Sequence, residues 1–392
     1  MKYIMLIADG MADHRIPLLE GKTPLQVAST PNMDALAREG FCGVVATLKE
    51  GGERGSDVAL LSLLGYEAEK VYTGRGPLEA ASKGIILKGR ELAFRLNLVT
   101  INEGRMEDYS AGHISSKEAV KLVNYLQNRL GNRQTKFVPG LSYRHLLITT
   151  HSSLRIKELK TYPPHDIIGR PIKEYLPQGR GSNYLRRLME LSKEILSSHP
   201  LNLRREKRGL PPANMIWIWG GGGRPRLESF FSKYRVKGAV ISAVDVIKGI
   251  GKYLGMEVIK VRGATGDLDT NYRAKGKAVL KALKKVDFVL LHVEAPDEAS
   301  HRGEARLKVE AIENFDRWIV GLIRRKAKGA RIFVGCDHVT STLLRTHTTE
   351  PVPFLIWGGK EKHPCPTFSE ASVRLSGGEI KDGKEIMKIF LG

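Results

Sequence analysis

Six short apolar runs punctuate the chain: YIMLIA (3–8), MIWIWG (215–220), GAVISA (238–243), DFVLLHVEA (287–295), RIFVGC (331–336) and PFLIWG (353–358). Each is of strand length and lacks a regular polar alternation, which marks strands covered on both faces. Segments of helical period lie between them. One is DVIKGIGKYLG (245–255). A longer one runs from roughly Asp297 to Ala327, with Leu307, Ile312, Phe315, Ile319 and Leu322 on one stripe. This alternation predicts an α/β fold, a mostly parallel sheet flanked by helices on both faces.

The middle of the chain has another pattern. From about Gly84 to Leu203 the strand-like segments alternate polar and apolar residues, as in LAFRLNLVTI (92–101) and YRHLLIT (143–149). That predicts a sheet with one wet face. A smaller α+β domain at 86–204 is therefore expected, inserted into a discontinuous core of 1–85 and 205–392. The insert carries 20 basic against 10 acidic side chains.

The whole chain has 392 residues and a net charge of +21. Its basic residues are scattered among acids, and the densest run, LRREKRG (203–209), reads as a solvated connector. No homeodomain, zinc-finger or ribonucleoprotein signature is present. A basic nucleic-acid-binding protein is thus a rival reading from another class, and no nucleic-acid partner is expected. A basic field that attracts a small anionic substrate suits the composition better. No run of 18 uncharged apolar residues exists, so no membrane partner is expected. The N-terminal MKYIMLIADGMADHRIP reads as a first buried strand and not as a signal peptide. Cys42, Cys336 and Cys365 are odd in number and lack metal-site spacing. A reducing, cytoplasmic setting is the expectation.

The acids and imidazoles of interest lie where apolar runs end. Asp9 follows YIMLIA, Asp297 follows DFVLLHVEA, and Asp337 and His338 follow RIFVGC. His347 sits in the Thr-rich loop before the next run. In open α/β sheets ligand sites gather at the carboxyl ends of strands. Asp297 and His301 are four apart, on one face if a helix begins there. Such oxygen and nitrogen donors suit Mn²⁺, Zn²⁺ or Mg²⁺. Singly, Asp9 also reads as a turn residue and Asp297 as a helix cap. In GERGSDVALLSLLGY (52–66), Ser56 opens a helical run, either as an ordinary N-cap or where unpaired amides favour a phosphate. WGGGGRP (219–225) reads as a strand-ending turn, since no complete phosphate-loop pattern accompanies it. DLD (267–269) lacks the further ligands of a calcium loop.

Several segments carry a family resemblance. ADGMAD, TPNMDALAREG (30–40), GSDVALLSLLGY (55–66), YTGRGPLEA (72–80), ANMIWIWG (213–220), GATGDLDTNY (263–272), HVEAPDEASH (292–301) and CDHVTSTLLRTHTTEPVPF (336–354) recur in order. Together they resemble the archaeal-type cofactor-independent phosphoglycerate mutases of the alkaline phosphatase superfamily. The resemblance covers nearly the whole chain and is looser in the middle.

The resemblance implies an alkaline phosphatase-like core and a two-metal site. Asp297, His301 and His347 would hold one divalent ion, and Asp9, Ser56, Asp337 and His338 the other, as Mn, Mg, Zn or Co. Ser56 would take up the phosphoryl group, and no 2,3-bisphosphoglycerate would be needed. The expected activity is interconversion of 3- and 2-phosphoglycerate, in glycolysis and gluconeogenesis, with a homo-oligomer compatible with it. A phosphatase or phosphonate hydrolase of the same superfamily is the nearer rival. By looser resemblance His113, Arg144 and Asp166 of the insert, and Lys248 of the core, would bind substrate. The insert would close over the strand-end site.

Overall fold

The run KYIMLIA becomes the strand Lys2–Ala8, whose residues from Ile4 onward are fully buried. It lies inside an eight-stranded sheet. The strands run in the order 379–380, 41–45, 352–357, 330–335, 2–8, 288–293, 238–241, 257–258. The computed structural model describes all residues, Met1–Gly392. It divides into two compact units, Met1–Tyr72 with Arg226–Gly392, and Thr73–Pro225. The sheet belongs to the first. Lys2–Ala8 pairs in parallel with Phe288–Val293 on one side and Ala330–Gly335 on the other. Ile7 therefore stands beside both His292 and Gly335.

The α/β expectation matches this sheet, with two differences in its strands. Val352–Trp357 runs antiparallel to Ala330–Gly335 and to Phe41–Val45. The segment FCGVV (41–45) is itself a strand the apolar runs did not announce, being short and interrupted by Gly43. A side chain at Gly43 would collide with the Gly378 carbonyl, so the strand needs glycine there.

The long helix expected from Asp297 to Ala327 is divided. Ala295–Arg302 stops at Gly303, which has φ of 78° and caps the helix in the left-handed region. Ala305–Phe315 then leads through a π-helical turn, Asp316–Val320, into Gly321–Lys326. The wider turn shifts the buried stripe. Ile312, Phe315, Ile319, Val320 and Ile323 are buried, while Leu307 is exposed and Leu322 only half-buried. No helix is long and apolar enough to cross a membrane.

The second unit holds a five-stranded antiparallel sheet. Leu92–Asn102 is central and pairs with Arg105–Asp108, Arg144–Thr149 and Met215–Gly223, and Thr135–Leu141 adds beyond Arg144–Thr149. MIWIWG thus belongs here and not to the parallel sheet. The unit, Thr73–Pro225, is wider than 86–204 at both ends for two reasons. The strand Met215–Gly223 completes its sheet, and the helix Arg75–Ser82 packs on Leu92–Asn102 so closely that Gly76 has no room for a side chain. Two glycines of WGGGG serve the same close packing. A Cβ on Gly221 would strike Phe94, and one on Gly222 the Thr73 carbonyl.

Along the central strand the expected wet face does not exist. Ala93 to Ile101 are all buried, including Arg95 and Asn97. Arg95 lies 4.3 Å above the Trp219 ring, with the Glu79 carboxylate 3.1 Å from its Nε. Asn97 accepts a hydrogen bond from Trp219 Nε1 and donates to the Tyr109 carbonyl. Polar alternation here encodes a buried network, in which Asn97 is hydrogen-bonded and the Arg95 charge is paired with Glu79 although its Nε makes no hydrogen bond.

Candidate active site

Three adjacent parallel strands end side by side and aim their next residues at one place. Asp9 follows Ala8, and Asp337 with His338 follow Gly335 by two and three residues. Glu294 follows Val293, and Asp297 lies one turn into the helix Ala295–Arg302. The Asp9 amide donates to the Val293 carbonyl at 2.9 Å, which extends the strand pairing to the site. Gly10 has φ of 58°, and a Cβ there would collide with Thr340 and lie 2.8 Å from Asp297 Oδ1. His347 returns to the site on a short ribbon, in which Val339–Ser341 pairs antiparallel with Thr346–Thr348 and Thr340 stands opposite His347.

All seven residues expected to bind metal come together. Asp9, Asp337 and His338 place donor atoms within 4.8 Å of one another, and so do Asp297, His338 and His347. His338 links the two groups. Its ring stacks on that of His347 with centroids 3.9 Å apart. His301 closes the outer group, with Nε2 3.3 Å from Asp297 Oδ2 and 3.0 Å from His347 Nε2. Asp297 Oδ1 is 3.3 Å from His347 Nε2.

Ser56 is not the N-cap. Gly55 holds that position, and Ser56 is the first residue of the helix Ser56–Leu63. Its Oγ is turned to the inner group, 3.1 Å from His338 Nε2 and 3.4 and 3.5 Å from the two Asp9 oxygens. Nor does Asp297 cap its helix, since Glu294 is the N-cap residue.

The imidazole orientations fit a cation. His301 Nδ1 is 3.0 Å from the Arg345 carbonyl and His347 Nδ1 is 2.6 Å from the Arg54 carbonyl. A carbonyl only accepts, so each Nδ1 carries a proton and each ring turns its Nε2 inward. The two Nε2 atoms stand 3.0 Å apart, and although burial opposes it the Asp297 carboxylate raises the His301 pKa to about 9, so the pocket favours a positive charge there, a proton or a metal ion. The acids point the same way. Burial raises the Asp9 pKa well above the usual range, and the Asp337 and Asp297 carboxylates raise it further. Burial alone would raise Asp297 as well, but His301 and His347 hold it well below. Burial drives His338 down to about 4. The donors gathered here are carboxylate oxygens and imidazole nitrogens, the set that divalent ions of the Mn²⁺ and Zn²⁺ kind accept.

The four expected substrate residues do not form one set. His113 packs edge-on against Tyr109 and Tyr143 in the second unit. Arg144 lies with its guanidinium 5.2 Å from the Tyr143 ring. Asp166 is exposed, 3.6 Å from Nε2 of His165, whose ring meets Tyr109 and Trp219. His113 also has φ of 48°, beside Ala111 at 50° and Gly112 at 64°. Such backbone in a non-glycine residue is uncommon and favours a functional reading. Lys248 lies in the first unit and pairs with Asp245 at 2.8 Å, one turn back on its helix.

Two comparisons decide the family. The family model described as 2,3-bisphosphoglycerate-independent phosphoglycerate mutase matches residues 37–202. The mutase of that name from Methanosarcina barkeri is 50% identical over 361 residues, covering 91% of this chain and 90% of its own. The chain belongs to the 2,3-bisphosphoglycerate-independent phosphoglycerate mutase family. The mutase of Methanothrix thermoacetophila is 46% identical over 398 residues and covers all of both chains. Among solved structures, a Pyrococcus horikoshii protein superposes with a TM-score of 0.84 at 32% identity, covering 100% of this chain and 96% of that one. The cofactor-independent phosphoglycerate mutase of Thermoplasma acidophilum gives 0.67 at 27% identity, covering 100% and 99%.

Sequence reasoning missed His292, Glu294 and Lys275, all buried, of which His292 meets Asp9 and Asp337. A signal for the first two was present. They are polar residues two apart inside an apolar strand run, and a buried polar residue is the informative exception in a core.

Proposed function

We propose that this mutase family member interconverts 3-phosphoglycerate and 2-phosphoglycerate through a phosphoserine on Ser56. The observation that carries the reading is the place of Ser56 Oγ. It stands at a helix start, within 3.1 to 3.5 Å of His338 and Asp9. Asp297, His301 and His347 would hold one divalent ion and Asp9, Asp337, His338 and Ser56 a second. Such ions lower the pKa of a coordinated hydroxyl and neutralise phosphoryl charge.

The chain's own residues supply the rest. Ser56 Oγ attacks phosphorus in line, the bond to the glycerate 3-oxygen breaks, and that oxygen gains the proton that Ser56 gives up. The glycerate turns without leaving. Its 2-hydroxyl then attacks the phosphoserine and returns a proton to Ser56. The amides at the start of the helix Ser56–Leu63 face the developing phosphoryl charge. His113, Arg144 and Asp166 are proposed to bind the glycerate end, and Lys248 to offset phosphate charge.

The test couples purified protein, with Mn²⁺ and 3-phosphoglycerate, to enolase, and traps the acid-quenched enzyme for phosphoserine mapping. Turnover with label on the peptide carrying Ser56 supports the reading. Turnover with no label on that peptide would refute the serine route.

A further inference from the structure

Behind the inner group lies a line of buried ionisable side chains that the proposed chemistry does not use. Lys275, in the helix Tyr272–Ala282, places Nζ 2.7 Å from Glu294 Oε2, and both residues are buried. Glu294 Oε1 accepts from Ser242 Oγ at 2.7 Å and from the amides of Ala243 at 3.0 Å and Val244 at 3.3 Å. The same oxygen faces His292 Nδ1 at 3.4 Å. On the other side of that ring, Nε2 faces Asp9 Oδ2 and Asp337 Oδ2, each at 3.5 Å.

The sheet register explains the arrangement. His292, Ile7 and Gly335 are paired neighbours on three parallel strands and share a face. Glu294, Asp9 and Asp337 each lie two residues further on, so they form the next row. Glu294, held by donors from the strand end 242–244 and by Lys275, fixes the ring from behind.

We propose that Lys275, Glu294 and His292 are positioning residues that hold the carboxylates of Asp9 and Asp337 in place for the inner cation. The proposal rests on the reading that Asp9, Asp337 and His338 hold a metal. A carboxylate is free to turn about its last bond. Asp337 Oδ1 is already tied by the Gly10 amide at 3.2 Å and its own neighbour's amide, His338, at 3.1 Å. Asp9 has no such backbone tie; its carboxylate faces Ser56, His338 and His292, and the Asp337 carboxylate beside it, which repels it when both are charged. Besides the candidate ligand His338, His292 is the group that addresses Asp9 and Asp337 together. Partners of this kind orient metal ligands, and losing one weakens metal binding by roughly ten- to a hundredfold.

The experiment isolates the inner group. In a His301→Ala/His347→Ala background, Mn²⁺ is titrated into metal-free protein by calorimetry, and Co²⁺ binding is followed by its visible spectrum. Glu294→Gln and His292→Leu are each expected to lower inner-site affinity by about ten- to a hundredfold and to change the Co²⁺ spectrum. His292→Gln, which keeps an N–H donor, should recover part of the loss. Because Glu294→Gln alone leaves the Lys275 charge unpaired in the core and can destabilise the fold, Lys275→Met/Glu294→Gln is measured as well, and should show the same loss. In an Asp9→Asn/Asp337→Asn background, which leaves only the outer group, Glu294→Gln should leave affinity unchanged. A general loosening of the fold would weaken both groups. Equal inner-site affinity with and without Glu294→Gln and His292→Leu overturns the positioning role. If the background protein itself binds no ion, the metal reading of Asp9, Asp337 and His338 fails, and the positioning role with it.

Discussion

His301 and His347 face each other Nε2 to Nε2 across 3.0 Å, while the far nitrogen of each ring meets a backbone carbonyl. The carbonyls accept the Nδ1 protons, so both Nε2 atoms face the site, where a metal ion or a proton is held between them. His301→Ala or His347→Ala should therefore lower the affinity of the outer site by at least about tenfold, or 1.4 kcal/mol. Elemental analysis after dialysis against limiting Mn²⁺ measures this. Full occupancy of both sites in either variant would contradict the ligand assignment.

Ser56 sets a second expectation. Ser56→Ala removes the nucleophile but only a small, half-buried side chain. Turnover should fall by about four decades, which is about 5.4 kcal/mol of barrier at 1.36 kcal/mol per decade, while the thermal midpoint stays near wild type. A purified variant with more than a tenth of the wild-type rate would rule Ser56 out.

Gly10 lies where Asp9 must turn toward the site. Its φ of 58° costs an alanine about 1–2 kcal/mol, and the added Cβ would displace Thr340, whose Oγ donates to Asp297 at 2.6 Å. Gly10→Ala should lower both the melting temperature and metal affinity. An unchanged affinity would mean that the Thr340–Asp297 contact does not set the site.

These site residues were legible because a buried strand announces itself as an apolar run and its end is where an α/β sheet places chemistry. Asp9, Asp297, Asp337 and His338 could be read for that reason, and Ser56 from the glycine before its helix. His292 was not, because it lies inside the run that served to find the strand. The strand Met215–Gly223 was assigned to the wrong sheet because burial on both faces looks alike in any sheet. Arg95 and Asn97 suggested water, since alternation shows polarity and not what covers it. Gly303 and the π-helical turn divided a helix whose stripe looked continuous, because a one-residue change in turn width leaves the composition untouched.

His145 gives the pH prediction. Burial pushes its pKa down to about 3, its Nδ1 accepts from the Gly140 amide at 2.9 Å, and its Nε2 has no partner. The folded state thus holds it neutral, whereas the unfolded chain protonates it near pH 6.5. Below that value the unfolded state binds more protons, so stability falls as pH drops from about 6.5 toward about 3, by up to about 1.4 kcal/mol per unit. His145→Gln cannot titrate. Between pH 7 and pH 4.5 it should lose on the order of 2 kcal/mol less stability than wild type, read from denaturant midpoints. Parallel losses in the two proteins would show that His145 is not kept neutral.

The last prediction separates a mutase from a phosphatase on the same residues. A phosphoserine on Ser56 can pass its group to a glycerate hydroxyl or to water, and the two acceptors differ in chemistry very little. The advantage of the glycerate is orientation. A well-placed intramolecular group reaches effective molarities on the order of 10⁵ M, far above the concentration of liquid water. Transfer should then outpace hydrolysis by at least about a hundredfold, or ~2.7 kcal/mol between the two barriers at 1.36 kcal/mol per decade. The measurement supplies 3-phosphoglycerate labelled in its phosphoryl group and counts early label in 2-phosphoglycerate against free phosphate. Arg144→Ala and His113→Ala, if these residues hold the glycerate end, should move label toward free phosphate while leaving metal content unchanged. Comparable label in both products of the wild-type enzyme would mean that the glycerate is not held for return, and the phosphatase reading would replace the mutase one.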